Sequence, residues 1–233
     1  MIEARLAHQR GRSCTEWLES YHTFSFGNYD EVSHRGWGAL RVINEDRVKP
    51  GKGFATHPHH HMEIISYVLT GTLEHQDSLG HTTLIQAGEV QCMSAGQGIL
   101  HSEFNPSTTE IVHFLQIWIE PSRRDREAHY DQKTFSFKEK HERWCLIASE
   151  EGRKGGLSIR QNAFMYGTLI DKGKTMFYEL VPGRRAYLHV VQGEVKLNGL
   201  HLSNQDGAKI AQETVLTLSA VEQKTEVLLF DLP

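Results

Sequence analysis

Two short stretches of the chain carry side chains whose types and spacing suit metal chemistry. The first is Gly51-Lys-Gly-Phe-Ala-Thr-His57-Pro58-His59-His60-His61-Met62-Glu63, and the second is Gly98-Ile-Leu-His101-Ser102-Glu103. Side chains two positions apart in a β-strand point to one face. His57 and His59 therefore project together, and so do His101 and Glu103. Pro58 biases the residue before it towards extended backbone, which favours a strand here. Two strands that each offer such a pair can converge on one divalent cation. Three imidazole nitrogens and one carboxylate oxygen suit Fe(II), Mn, Co, Ni, Cu or Zn, whereas Ca and Mg prefer oxygen alone. With 15 histidines in the chain, a single H-x-H pair could stand by chance in a solvated loop. The second pair, arriving after a hairpin-like segment, favours a ligand set. His61 and Glu63 share strand parity with His57 and His59, and both stay open as rivals.

The elements that must position these residues read as short strands. Ala39-Leu-Arg-Val-Ile43 is strand-like, Asn44-Glu-Asp46 reads as a turn, and Arg47-Val48 leads to Pro50-Gly51. The apolar strand Ile64 to Leu69 ends at Gly71. Thr72 to Asp77 turns at Ser78-Leu-Gly80, Thr82 to Ile85 is another strand, and Ala87-Gly88-Glu89 is a turn. Gly96 and Gly98 permit a tight bend before His101. Ile111 to Ile119 closes this half as a long apolar strand. Short strands at about ten-residue spacing with glycine-marked turns describe an antiparallel barrel or jelly roll. Upstream, positions 22, 24 and 26 of Tyr21-His-Thr-Phe-Ser-Phe26 share one strand face, and His22 reads as a packed histidine beside two phenylalanines.

Pro121 to Glu127 and Lys138 to Arg143 are mixed-charge runs that read as solvated linkers, because acids alternate with bases. No stretch shows a sustained helical period, so the chain reads as all-β. A length of 233 residues fits one large β domain or two of roughly 115 each. The net charge of −4 argues against a general electrostatic hold on nucleic acid. There is no run of 18 apolar residues for a membrane span, and residues 1–10 lack the apolar core of a secretory signal. Cys14, Cys92 and Cys145 are sparse and odd in number, which fits a reducing cytoplasm and no disulfide framework. Cys92 reads as a small buried hydrophobe.

The second half echoes the first. Tyr67-Val-Leu-Thr-Gly71-Thr-Leu matches His189-Val-Val-Gln-Gly193-Glu-Val, and Thr109 to Phe114 resembles Thr225 to Phe230. Such self-similarity, occurring only twice, indicates two copies of one β unit. Ungapped alignment on the two glycines sets Glu179 opposite His57 and Val181 opposite His59. Thr214 to Ala220, near the position of His101, contains no histidine. The expected organisation is a metal-binding domain over residues 1–122 and a second, ligand-free copy over 123–233.

The motifs Gly51-x5-His57-Pro58-His59-x3-Glu63 and Ser94-Ala-Gly-Gln-Gly-Ile-Leu-His101-Ser-Glu103 resemble the cupin superfamily, and within it the two-cupin pirin family. The resemblance extends over most of the chain, including Tyr21 to Phe26 and Glu74-His-Gln-Asp77. It implies two tandem cupin domains, each a jelly-roll β-barrel. Gly71 comes one residue late after Glu63, and Ser94 stands where proline usually precedes the second-motif histidine. These departures fit the pirin variant, in which the carboxylate ligand comes from the H-x-E of the second motif. The implied metal ligands are then His57, His59, His101 and Glu103, with Glu63 a pocket residue and the ion Fe(II), or alternatively Cu, Ni, Co, Mn or Zn.

Bacterial members similar to this chain act on flavonols as quercetin 2,3-dioxygenases. The resemblance therefore implies a flavonol-like small molecule and O2 as partners and ring cleavage with release of CO. Glu103 would be the catalytic base for the 3-hydroxyl. Phe54, Phe104 and Trp118 are candidate pocket aromatics. The alternative it carries is an iron-binding regulatory protein acting through protein partners without turnover. A monomer, with no direct nucleic-acid contact and no membrane attachment, completes the expectation.

Overall fold

The computed structural model describes residues 1–233 as two compact units. The N-terminal unit comprises Gly11–Thr134 with Leu157–Gln161, and the C-terminal unit comprises Met1–Arg10, Phe135–Gly156 and Asn162–Pro233. This differs from a single cut after residue 122. Strand β1 (Ile2–Arg5) pairs antiparallel with Gly207–Ala211, and its Ile2 and Ala4 pack on the C-terminal core. A four-residue alternation says which face is apolar but not which sheet will take it.

In the N-terminal unit the chain forms β2 (Gly11–Cys14), β3 (Leu18–His22), β4 (Leu40–Val48), β5 (Gly53–His59) and β6 (Glu63–Thr70). These are followed by β7 (Thr72–Asp77), β8 (Thr82–Gln86), β9 (Glu89–Ser94), β10 (Ile99–Phe104), β11 (Val112–Ile119) and β12 (His129–Thr134). The larger sheet runs β12-β9-β6-β11-β4-β3-β2 and the smaller β5-β10-β7-β8, with all pairings antiparallel. Val48, Val68, Val112 and Phe114 of the larger sheet share one core with Leu73 and Ile85 of the smaller. The two sheets therefore close face to face as a jelly roll, which holds the smaller sheet's inner face against the interior.

Three local expectations fail. Asn44-Glu-Asp46 is no turn: β4 runs unbroken through it, and all three side chains are buried. Its neighbours β3 and β11 supply ladder partners throughout, so turn-type residues are held extended. Strand β3 ends at His22, so the expected face of 22, 24 and 26 stops there, with Phe24 buried beyond it. In the C-terminal unit a short helix, α1 (Phe137–Lys140), replaces the expected linker. Ser136 caps it by accepting from the Glu139 amide while the Glu139 carboxylate reaches back to Ser136.

The internal echo is real around the two glycines. Gly71 and Gly193 each follow a long strand and adopt left-handed φ of 77° and 82°. A Cβ at Gly71 would meet the Ile111 carbonyl and Val112, and one at Gly193 would meet Thr225. The second echo is displaced: Phe114 pairs with Val68, and the equivalent partner of Val190 is Val227, not Phe230. The ungapped alignment also misplaces a face. Glu179 is exposed, whereas Met176, Tyr178, Leu216 and Leu218 turn into an aliphatic core.

Candidate metal centre

Strand β5 lies at the edge of the smaller sheet, where Pro58 is tolerated because it owes the ladder no N–H. Opposite it, the Leu100 amide bonds to Ser78 Oγ instead. The register sets His101 opposite both His57 and Asp77, and Glu103 opposite both Phe54 and His75. Directly paired residues share a face, so all of these point inwards. From His101 to Glu103 the chain advances two residues while β5 advances three, from His57 back to Phe54. This bulge re-aims His57, whose Nδ1 bonds to the Ala55 carbonyl at 2.7 Å.

The metal-binding atoms of His57, His59 and His101 lie within 4.8 Å of one another. Their ring centroids are 4.5–4.9 Å apart. His101 is buried, and neither of its nitrogens has a hydrogen-bond partner. Burial and the neighbouring histidines lower its value to about 2, and the same causes lower His59 to about 4. Both rings are therefore neutral at physiological pH, as metal ligation requires. The Nδ1 bond of His57 fixes its tautomer and leaves Nε2 with a free lone pair. An orphaned imidazole, a fixed one and a neutral one, all aimed at one point, fit a borderline divalent transition metal.

Glu103 is buried and stands in a second group with His75 and His101, whose ligating atoms also lie within 4.8 Å of one another. Its Oε1 accepts from Ser66 Oγ at 3.0 Å and its Oε2 from Gln116 Nε2 at 2.7 Å. Burial raises its carboxyl, opposed by His75 and His57 and by these two donors. The donors belong to a row of inward polar side chains across the larger sheet. Gln91, Ser66, Gln116, Asn44 and His22 are successive ladder partners from β9 to β3. Asn44 Oδ1 and Ser13 Oγ hold the two nitrogens of His22, each at 2.8 Å.

Residues 3–119 match the Pirin family, and residues 146–232 match the quercetinase C-terminal cupin domain. Quercetin 2,3-dioxygenase of Escherichia coli K12 is 44% identical over 233 residues, covering 100% of this chain and 99% of that one. The chain belongs to the pirin family. The bacterial pirin YhhW from Escherichia coli, solved in complex with nickel(II), shares 43% identity at a TM-score of 0.95, covering 100% of this chain and 99% of that chain. A quercetin 2,3-dioxygenase from Acinetobacter baumannii, at 20% identity and TM-score 0.81, shares the fold over 99% of this chain and 86% of its own.

Within this pirin, the sequence expectation brings together His57, His59 and His101, with Glu103 adjoining through His101. Glu63 is not in the cluster: it is buried and accepts from Ser94 Oγ, with Arg160 also acting on it. His61 sits in the loop after β5 with φ of 52°, outside the cluster. His75 was missed. It is fully buried, Nε2 bonds to Asp77 Oδ2 at 3.0 Å, Nδ1 has no partner, and Tyr130 stacks on the ring. Its signal was the H-x-D parity of His75 and Asp77 on one strand face. The cluster opens on a cavity of about 260 Å³ lined by Phe26, Phe54, Trp118 and polar residues of β3 and β4. Phe54 and Trp118 thus line it, and Phe104 does not.

Proposed function

We propose that this pirin is a metal-dependent dioxygenase that opens flavonols such as quercetin with O2, releasing CO and a depside. One observation carries the reading: three clustered imidazoles, with a buried carboxylate adjoining through His101, stand at the wall of an aromatic-lined cavity. His57, His59, His101 and Glu103 would hold the ion, and Fe(II) heads the candidates alongside Ni, Cu, Co, Mn and Zn. When bound, the metal supplies a Lewis-acid centre and template for the 3-hydroxyl and 4-carbonyl groups of the flavonol.

The protein's own part is proton handling and exclusion of water. Ser66 Oγ has one hydrogen and two acceptors in reach, Glu103 Oε1 at 3.0 Å and Gln116 Oε1 at 3.2 Å. Rotation of that hydroxyl towards Gln116 frees Glu103 Oε1 to take the proton of the 3-hydroxyl. Gln116 Nε2 meanwhile stays on Oε2 and keeps the carboxyl oriented. Burial raises the affinity of Glu103 for a proton, which suits a base that must accept one. Phe26, Phe54 and Trp118 give the ring flat apolar walls.

A cavity that opens directly on the cluster favours turnover over a purely regulatory role. Oxygen uptake on adding quercetin to metal-loaded protein tests the reading. Glu103→Gln is expected to retain some metal and lose most turnover; turnover equal to the parent removes Glu103 as the base.

A further inference from the structure

We propose that Asp46 is a substrate-anchoring residue. Its carboxyl group hydrogen-bonds a second hydroxyl of a planar polyhydroxylated aromatic whose first hydroxyl lies at the histidine and Glu103 cluster. The inference rests on the flavonol reading above and narrows it to substrates that carry a remote hydroxyl.

Asp46 sits mid-strand in β4, opposite Phe114 on β11 and Ser20 on β3. It is 3% exposed, it lines the cavity, and its Oδ1 has no hydrogen-bond partner. Ser20 hydrogen-bonds the carboxyl group, and the charged groups that act on it, Glu103 and Glu45, are of its own sign. Beside Phe114 an apolar side chain would serve packing better, because a buried carboxyl oxygen without a partner costs free energy. The arrangement is explained if the partner arrives with the ligand.

Asp46 lines the same cavity as His57, His59 and Glu103. Asn44 and Asp46 are two residues apart on one strand face, about 7 Å along the chain. Asn44 is the ladder partner of Gln116, which holds Glu103. Ser13, Ser20 and His22 extend the polar wall on the same side of the cavity, and Phe26, Phe54 and Trp118 supply flat surfaces for the ring.

The test is equilibrium binding to nickel-loaded protein, read by quenching of tryptophan fluorescence. Quercetin is compared with 3-hydroxyflavone, which keeps the 3-hydroxyl and 4-carbonyl but lacks the other hydroxyls. The parent should bind quercetin about tenfold tighter or more, and in Asp46→Leu the ratio should fall towards 1. A parent ratio near 1, or an unchanged ratio in the variant, overturns the proposal. If Asp46→Leu does not fold, flavonols lacking one hydroxyl at a time are titrated against the parent. Loss concentrated at a single hydroxyl supports the anchor, and loss spread evenly refutes it. Oxygen uptake is measured in parallel: discrimination in binding without uptake removes the dioxygenase reading but leaves the anchor, and uptake with no discrimination does the reverse.

Discussion

Replacing Gln116 by leucine isolates the contact that prepares Glu103 for a cation. Gln116 Nε2 donates to Glu103 Oε2 at 2.7 Å, and Ser66 keeps the other oxygen in place when Gln116 is gone. A hydrogen bond to a charged acceptor is worth about 1.5–3 kcal/mol net, and one to a neutral acceptor about 0.5–1.5. Burial favours the neutral form of Glu103, and any neutral fraction in the metal-free protein loses only the weaker bond. With metal bound the carboxylate is charged, so the variant loses the stronger one. The difference, about 1 kcal/mol, is roughly a fivefold loss of metal affinity. Removing a donor to the charged form also favours the proton, so the loss should be larger at pH 6.5 than at pH 8. Competition of the protein with a chromophoric chelator for nickel(II) at the two pH values measures both effects. Equal affinities for parent and variant at both, with unchanged circular dichroism, would refute the claim that Gln116 holds Glu103 as a metal-facing carboxylate.

Three further outcomes are expected. His101 buries two unpartnered nitrogens, so metal-free His101→Leu should be more stable than the chelated parent by about 1–2 kcal/mol, and nickel should then stabilise only the parent; thermal melts with and without nickel decide this, and a less stable variant contradicts it. His59 of the chelated protein should titrate near 4 by NMR. Because the folded state refuses a proton that the unfolded chain takes near 6.5, metal-free stability should be full above that pH and fall as pH drops towards 4; a midpoint near 6.5 would show the ring to be solvated. Gly193→Ala places a Cβ 2.6 Å from Thr225 Oγ1 on a residue with φ of 82°, and should cost on the order of 1–3 kcal/mol in denaturant melts, whereas an unchanged midpoint would mean the turn relaxes freely.

The ligand face was legible because strand parity is a strict rule: once Gly53–His59 and Ile99–Phe104 are strands, His57 and His59 share one face and His101 and Glu103 another, and the pairing of β5 with β10 makes these one. Parity also flagged Glu63, but Glu63 belongs to the opposite sheet, and which sheet a strand joins is a tertiary matter. Asn44, Glu45 and Asp46 misled the reading for a related reason. Asparagine and acids usually mark turns, yet here they sit mid-strand because Asn44 and Asp46 line the cavity that the fold encloses. The helix at Phe137–Lys140 was legible in principle from Ser136-x-x-Glu139, a signal lost inside a charge run.

The most direct test of the account is a structure of the protein loaded with nickel(II), with the ion located by anomalous scattering. One ion is expected within about 2.0–2.2 Å of one nitrogen each of His57, His59 and His101 and of a Glu103 oxygen, with His75 outside its coordination. An ion held by His75, His101 and Glu103 with His57 and His59 uninvolved, or no ion at this wall, would contradict it.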